Sequence, residues 1–367
     1  MNAVTTAASQ YANRPKDESF PDLKSMIESA EYERTHSKEV GYNLRDLSAV
    51  AVPDGVVMQS PKGTATISHY AFGQLARMVG APAGYLRTLN PTITADALNY
   101  GIQHNAPIGQ TASLLVKANG EGPHVRSITS ETYARLWDSQ LYENADHYVF
   151  NRPTNQGDSW IAPPTWAGDT AGTWRGDRTS FVIRVDGGSI VNDPSVSNGN
   201  GRLYRGLMIR NSEVGAAAVL IERVLFQYIC GNLNLWGAVI DRKYRRRHVG
   251  SHVMRDVVRE LAQTAREWSQ RGASQDEAII RGLISNELAS TQDAVVDELR
   301  KIGYSLEQAT EAVRTCEHHF NASPRSYWGI AQGTTKLSQS SDWQDDRLLL
   351  DQLAAKVMQR GAQLVVA

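Results

Sequence analysis

YRGLMIRNSEVGAAAVLIERVLFQYICGNLNLWGAVIDRKYRRRH, residues 204–248, carries most of what the chain discloses about its fold. Its opening residues read as a strand over 203–210. Asn211 and Ser212 are residue types that accept hydrogen bonds at a helix start. Val214, Ala217/Ala218, Ile221, Val224/Leu225 and Tyr228 then recur at helical spacing, which predicts a buried helix over 212–230. Gly231 suits the left-handed position that ends a helix. Cys230, on or beside the apolar face, reads as a small packed hydrophobe, and Asn232 as a helix-end amide. The stretch closes on a dense basic run, Arg242 to His248.

Outward from there, residues 1–22 are polar, are interrupted by Pro15 and Pro21, and read as a mobile arm. A helix is expected near 23–34 and short strands at 48–57 and 63–67 across Pro-Gly turns. Ser68 is placed to cap a helix that stops at Gly80, and Pro82 to open a second short one. A helix near 92–104, strands at 112–118 and 125–128, and a helical stretch from 130 to 143 follow. Residues 151–178 form a loop with Trp160, Trp166 and Trp174. FVIRVDGGSIVND (181–193) reads as strand, turn, strand. Helical stretches occupy 251–270, 274–290, 291–302, 305–319 and 344–360. The expected class is α+β: a mixed or antiparallel sheet packed by helices, followed by a mainly helical C-terminal part. The expected domains are the arm at 1–22, an α+β core at 23–248, and a helical part at 249–367 packed on it.

Composition narrows the function. The chain has 367 residues, 41% hydrophobic and 21% charged, the values of a globular protein. No run of about 18 apolar residues occurs and the N-terminus has no apolar core of a signal peptide, so a cytoplasmic protein without a membrane role is expected. Two cysteines exclude a disulfide framework. The net charge of −1 conceals a segregation. Residues 242–271 carry nine Lys/Arg against Asp256, Glu260 and Glu267, while 272–320 is acidic.

That basic segment is the candidate site. Arg242, Lys243, Tyr244, Arg245, Arg246, Arg247 and His248 combine clustered cations with an aromatic, the pairing that neutralises phosphates and stacks on bases. In the helix that follows, with Ser251 as its cap, His252, Arg255, Arg259, Gln263 and Arg266 fall on one arc, and Val253, Val257, Leu261 and Trp268 point elsewhere. The plainer alternative is a solvated face neutralised by 276–317. Trp160, Trp166 and Trp174 of the 151–178 loop, together with Arg152, Arg175 and Arg178, offer a stacking platform for a single strand, with Trp166, Trp174 and Arg175 as its candidate contacts. The same tryptophans fit a hydrophobic lid over the sheet, which is the preferred reading. LARMVGAPAGYLRTL (75–89) has a helix-turn-helix pattern, but Pro82 and Gly84 favour a plain corner between helices.

The segments RG (205–206), NSEVG (211–215) and QYICGN (227–232), with His248 beyond them, resemble the phage/plasmid-like protein family built on domain of unknown function 932. Residues 74–86, 128–143 and 327–353 look similar to it as well, so the likeness spans about 40–355. Gln227 departs from it, standing where the family pattern has Arg, and the Trp-rich loop is peculiar to this chain. The resemblance implies association with a phage, prophage or plasmid and no assigned activity.

No phosphate-binding loop or hydrolase elbow is present. Cys316-Glu317-His318-His319 lacks the second half of a zinc site, and the two His suit a helix C-terminus. No cofactor, metal ligand or catalytic residue is assigned. The expected function is an accessory protein that binds DNA, single-stranded, in recombination or replication; self-assembly into a homo-oligomer is compatible with it. Two alternatives stand beside it: a protein-interaction factor in host takeover or anti-defence, and an enzyme with a metal held by carboxylates such as Asp186 and Asp193.

Overall fold

The structure, a computed structural model, describes residues 18–120, 122–154, 159–163, 172–192, 202–229, 232–236, 243–270, 273–339 and 344–366. Most of the expected arm (1–17), Trp166, Asp193, Cys230, Gly231 and Arg242 lie outside these residues.

The N-terminal layer begins with α1 (Leu23–Thr35), whose first amides are met by Asp22: its carboxylate accepts from Ser25 N at 2.6 Å. Next come β1 (Ser37–Asn43), β2 (Ser48–Val52), β3 (Gly55–Ser60) and β4 (Gly63–Ile67). The expected turns join β2 to β3 and β3 to β4, with Gly55 at φ 145° and Gly63 at φ 120°. Ser68 does cap α2 (His69–Met78), accepting from Ala71 N at 3.0 Å. Gly80, at φ 72°, follows its end. The one-turn α3 (Ala83–Leu86) comes after it, so the 75–89 segment is a corner without a recognition helix. α4 (Pro91–Tyr100) precedes β5 (Thr111–Asn119) and β6 (Gly122–Thr129). The strands line up as β1-β5-β6-β4-β3-β2, antiparallel throughout except for the β4–β6 pair. Leu75, Leu98, Met58, Leu114 and Val125 are among the residues of this layer's own core.

The second layer opens with α5 (Asp138–Ala145), extended by a wider turn over Asp146–Phe150. Its sheet is antiparallel: β7 (Trp160–Ile161), β8 (Thr173–Arg175), β9 (Ser180–Asn192), β10 (Arg202–Asn211), β11 (Val219–Ile229), β12 (Asn232–Trp236) and β13 (Lys243–Arg246). Two expectations are corrected here. FVIRVDGGSIVN is one strand, and Gly187-Gly188 sit where its register against β10 slips, making a bulge where a hairpin turn was expected.

The second correction is larger: 212–230 is not a helix. Residues 212–218 form a turn and β11 follows. Gly215 at φ 82° breaks any helix at its first turn, and the Ser212 hydroxyl accepts from Ala216 N at 2.9 Å, closing the turn. Val219 and Ile221 point to one face and are fully buried there with Leu207 and Ile209 of β10. A run rich in Val, Ile, Leu and Phe satisfies strand spacing as well as helical spacing, and pairing with β10 decides between them.

Helices α6 (Val253–Gln270), α7 (Ala273–Ser285), α8 (Gln292–Ile302), α9 (Leu306–His319), α10 (Tyr327–Gln339) and α11 (Gln344–Val366) complete the described chain. The C-terminal part is helical as expected, and α10 is an addition to it. Val253, Val257, Leu261 and Trp268 of α6 enter the same core as Val182, Leu207 and Ile221, so helices and second sheet share one interior. Gly329 and Gly333 of α10 let α9 approach closely: a Cβ on Gly333 meets the Ala312 carbonyl and the Cys316 backbone. Gly333→Ala is therefore expected to cost about 1–3 kcal/mol through overpacking, read as a lower urea midpoint at unchanged slope. Full stability in that variant would show that α9 and α10 give way at no cost.

Candidate nucleic-acid interface

The sequence pattern of α6 maps onto the surface as anticipated. His252, Arg255, Arg259, Gln263 and Arg266 are all exposed along one side, opposite the buried Val257 and Leu261. Asp256 stands among them, 3.4 Å from Arg246, 3.7 Å from Arg255 and 4.0 Å from Arg259. Arg255 and Arg259 keep 69% and 75% of their side-chain surface in solvent, so these pairs neutralise little. Three carboxylates of the acidic segment are engaged elsewhere: Glu277 holds Arg281, Glu287 holds Arg325, and Glu298 holds Lys301 and Arg360.

β13 brings the basic run to the edge of β11 beside α6, with Leu220 opposite Arg245 and Ile221 opposite Tyr244. Alternation along the strand sorts its side chains. Tyr244 packs against the shared core, while Arg245 and Arg247 are exposed. Lys243 is a strand residue paired with Glu222. His248 is withdrawn from the candidate surface. It is 3% exposed, stacked on Tyr133 at 4.9 Å, and its burial holds the imidazolium down to about 4.

The Trp-rich loop divides in the same way. Trp174 is 1% exposed and packs on Phe181 at 5.3 Å, and Trp160 is buried against Phe150. Both behave as the lid reading expects, and Trp174 cannot stack on a base. Arg175 is likewise withdrawn from the candidate surface, because it lies at the centre of a buried ionic cluster. Its guanidinium reaches Glu33 at 2.6 Å, Glu213 at 3.1 Å and Asp138 at 3.1 Å. Arg126 bridges Glu33 and Glu213 at 3.3 and 3.2 Å, and Lys117 holds Glu33 at 2.6 Å. Asp138 also accepts from Ser180 and from Asn211 Nδ2, and its amide donates to Glu213 at 2.9 Å.

Three carboxylates thus meet three cations where the two sheets join. Burial would raise the Glu33 carboxyl, but Arg175 and Arg126 beside it bring it down to about 2. Glu213 is shifted upward by its burial and by Asp138. The segment that resembles a family signature, Asn211 to Gly215, supplies this junction. The cluster is structural: every charge in it is met by another part of the fold.

One residue of the surface, Tyr148, escaped the sequence reading of the site, whereas Arg152 belongs to the loop already read as a stacking platform. Where α6 passes the turn after α5, a cleft of about 360 Å³ is lined by Tyr148, Arg152, Trp160, Arg259, Ala262 and Arg266, among others. Among the described residues, no carboxylate lines it. Tyr148 and Arg152 are both exposed. Nothing local in the sequence marks Tyr148, since its value depends on a helix that begins more than a hundred residues later.

Among the described residues, no three His, Cys, Asp or Glu side chains are grouped to hold a metal, and no helix is long and apolar enough to cross a membrane. Asp186 lies in β9 opposite Trp160, whereas its suggested partner Asp193 is outside the described residues. Cys316 is buried, and burial pushes its thiol up to about 12, unsuited to nucleophilic work. No protein-family model, no curated protein and no solved structure matches this chain.

Proposed function

We propose that the protein is a cytoplasmic, nucleic-acid-associated accessory factor of a phage, prophage or plasmid that binds single-stranded DNA in recombination or replication. The observation that carries the binding is the exposed row His252, Arg255, Arg259, Arg266, which runs into a cleft holding Tyr148 and Arg152 and, among the described residues, no carboxylate. The row is suited to follow phosphates, and Tyr148 offers a face on which a base stacks. Arg245 and Arg247 are exposed on the other face of β13 from Arg246, which meets Asp256 of α6, so they stand apart from this row. The mobile-element setting rests on the sequence resemblance at 205–232.

Anisotropy of a labelled oligothymidylate, titrated at several salt concentrations, tests the reading. Binding should weaken steeply with salt, and Arg255/Arg259/Arg266→Ala should lower affinity by about tenfold or more and reduce the salt slope by roughly 2–3. Tyr148→Ala should weaken binding by about 1–3 kcal/mol at an unchanged slope, because stacking releases no counterions. Absence of binding at low salt, or a triple variant that binds like the parent, sinks the proposal.

A further inference from the structure

The N-terminal sheet carries a second cavity, far from α6 in sequence and independent of the reading above. α4 packs on β2 and α2 on β6, and other parts of the same sheet line an opening of their own. There β1, β3, β4, β5 and β6 surround a cavity of about 420 Å³. Its floor is Met58, Leu114 and Val125, which are themselves core residues, so the cavity reaches into the interior of the layer. Val40 and Val116 form its walls. Lys38 and Lys62 stand at its mouth, exposed, and among the described residues no carboxylate lines it. The neighbouring acid Glu39 points to the opposite side of β1, where it holds Arg135 at 2.7 Å.

An apolar interior with a cationic mouth selects an amphiphilic anion. The tail gains by leaving water, and the head stays wet beside two ammonium groups. The volume falls within the roughly 300–1,000 Å³ of small-molecule sites. We propose that this cavity binds a medium-chain alkyl carboxylate, tail against Met58, Leu114 and Val125, and carboxylate between Lys38 and Lys62. A neutral alcohol of equal length loses the head-group attraction, and an alkylammonium is repelled.

Calorimetric titration of the full chain with dodecanoate, below its micellar concentration, decides the matter. One molecule should bind per chain, with dodecylammonium weaker by about tenfold or more. Lys38→Glu/Lys62→Glu should weaken dodecanoate by a similar factor and relieve the discrimination against the cation. Ala118→Trp, at the exposed lip of the cavity, should abolish binding by filling the mouth. Thr64→Trp on the facing lip does the same job should the first variant melt early. No heat with the parent protein overturns the proposal. So does binding of many molecules per chain, equal binding of dodecylammonium, or full binding in a well-folded lip variant. None of these outcomes bears on the oligonucleotide titration.

Discussion

Arg175→Met will remove about 3–5 kcal/mol of stability, the expected cost of taking one partner out of a buried charge cluster. The methionine fills comparable space, so the loss is electrostatic. Glu33, Asp138 and Glu213 would be left with Arg126 and Lys117, and Asp138 would keep only Ser180 and Asn211 as side-chain donors. A second change, Glu213→Gln, should return part of the loss by deleting the most deeply buried of the stranded carboxylates, so the two substitutions will not add. Urea unfolding of the four proteins of this cycle at pH 7 measures both effects. A loss in the single variant below about 1 kcal/mol would mean that the cluster is solvated in solution.

Within the cluster, Glu33 contributes stability that falls with acid, and Glu213, shifted the other way, opposes it. With the folded value of Glu33 near 2 and the ordinary value 4.5, its stabilisation is complete above the ordinary value and drains away as pH falls between them.

His248 produces the second large effect, in a milder window. Burial lowers its folded value from 6.5 to about 4, so the folded protein holds it neutral while the unfolded chain takes up a proton. Stability from this source is complete above pH 6.5 and lost as pH falls to about 4, amounting to about 3 kcal/mol across the window at roughly 1.4 kcal/mol per unit. Arg135 reinforces the downward shift, and Asp138 opposes it. His248→Phe keeps the ring stacked on Tyr133 and removes the titration. Its unfolding free energy should therefore decline less than the parent's from pH 6.5 to about 4.5, the remaining slope coming from His69 and His124, whose values burial also lowers. Parallel curves for the two proteins across that range would refute the assignment.

How much of this was legible beforehand differs by element. α6 was readable in detail because one helix face is buried and the other solvated, so a single period fixes both the core contacts of Val257 and Leu261 and the exposure of Arg255 and Arg259. β11 was not. Its apolar residues are dense enough to satisfy both periods, and Ala216 to Ala218 before it favour a helix that Gly215 forbids. The conformation of Gly215 is a property of the turn, invisible in a residue list. The ionic cluster was illegible for a different reason. Nothing in the sequence links Glu33, Lys117, Arg126, Asp138 and Glu213, and Arg175 reads there as part of a stacking platform; only the meeting of two sheets gathers them. The same gathering withdrew Arg175 and Trp174 from the nucleic-acid surface and placed Tyr148 on it.

The cluster also sets an order of events. Its bonds join residues distant along the chain, 142 apart for Arg175 with Glu33 and 87 for Arg126 with Glu213. Loops of that length close late, because ordering them costs entropy that only a formed partner surface repays. Each sheet must therefore take shape on its own before the two are clasped. The clasp acts chiefly on how long the finished protein lasts, holding back its unfolding rather than hastening its folding.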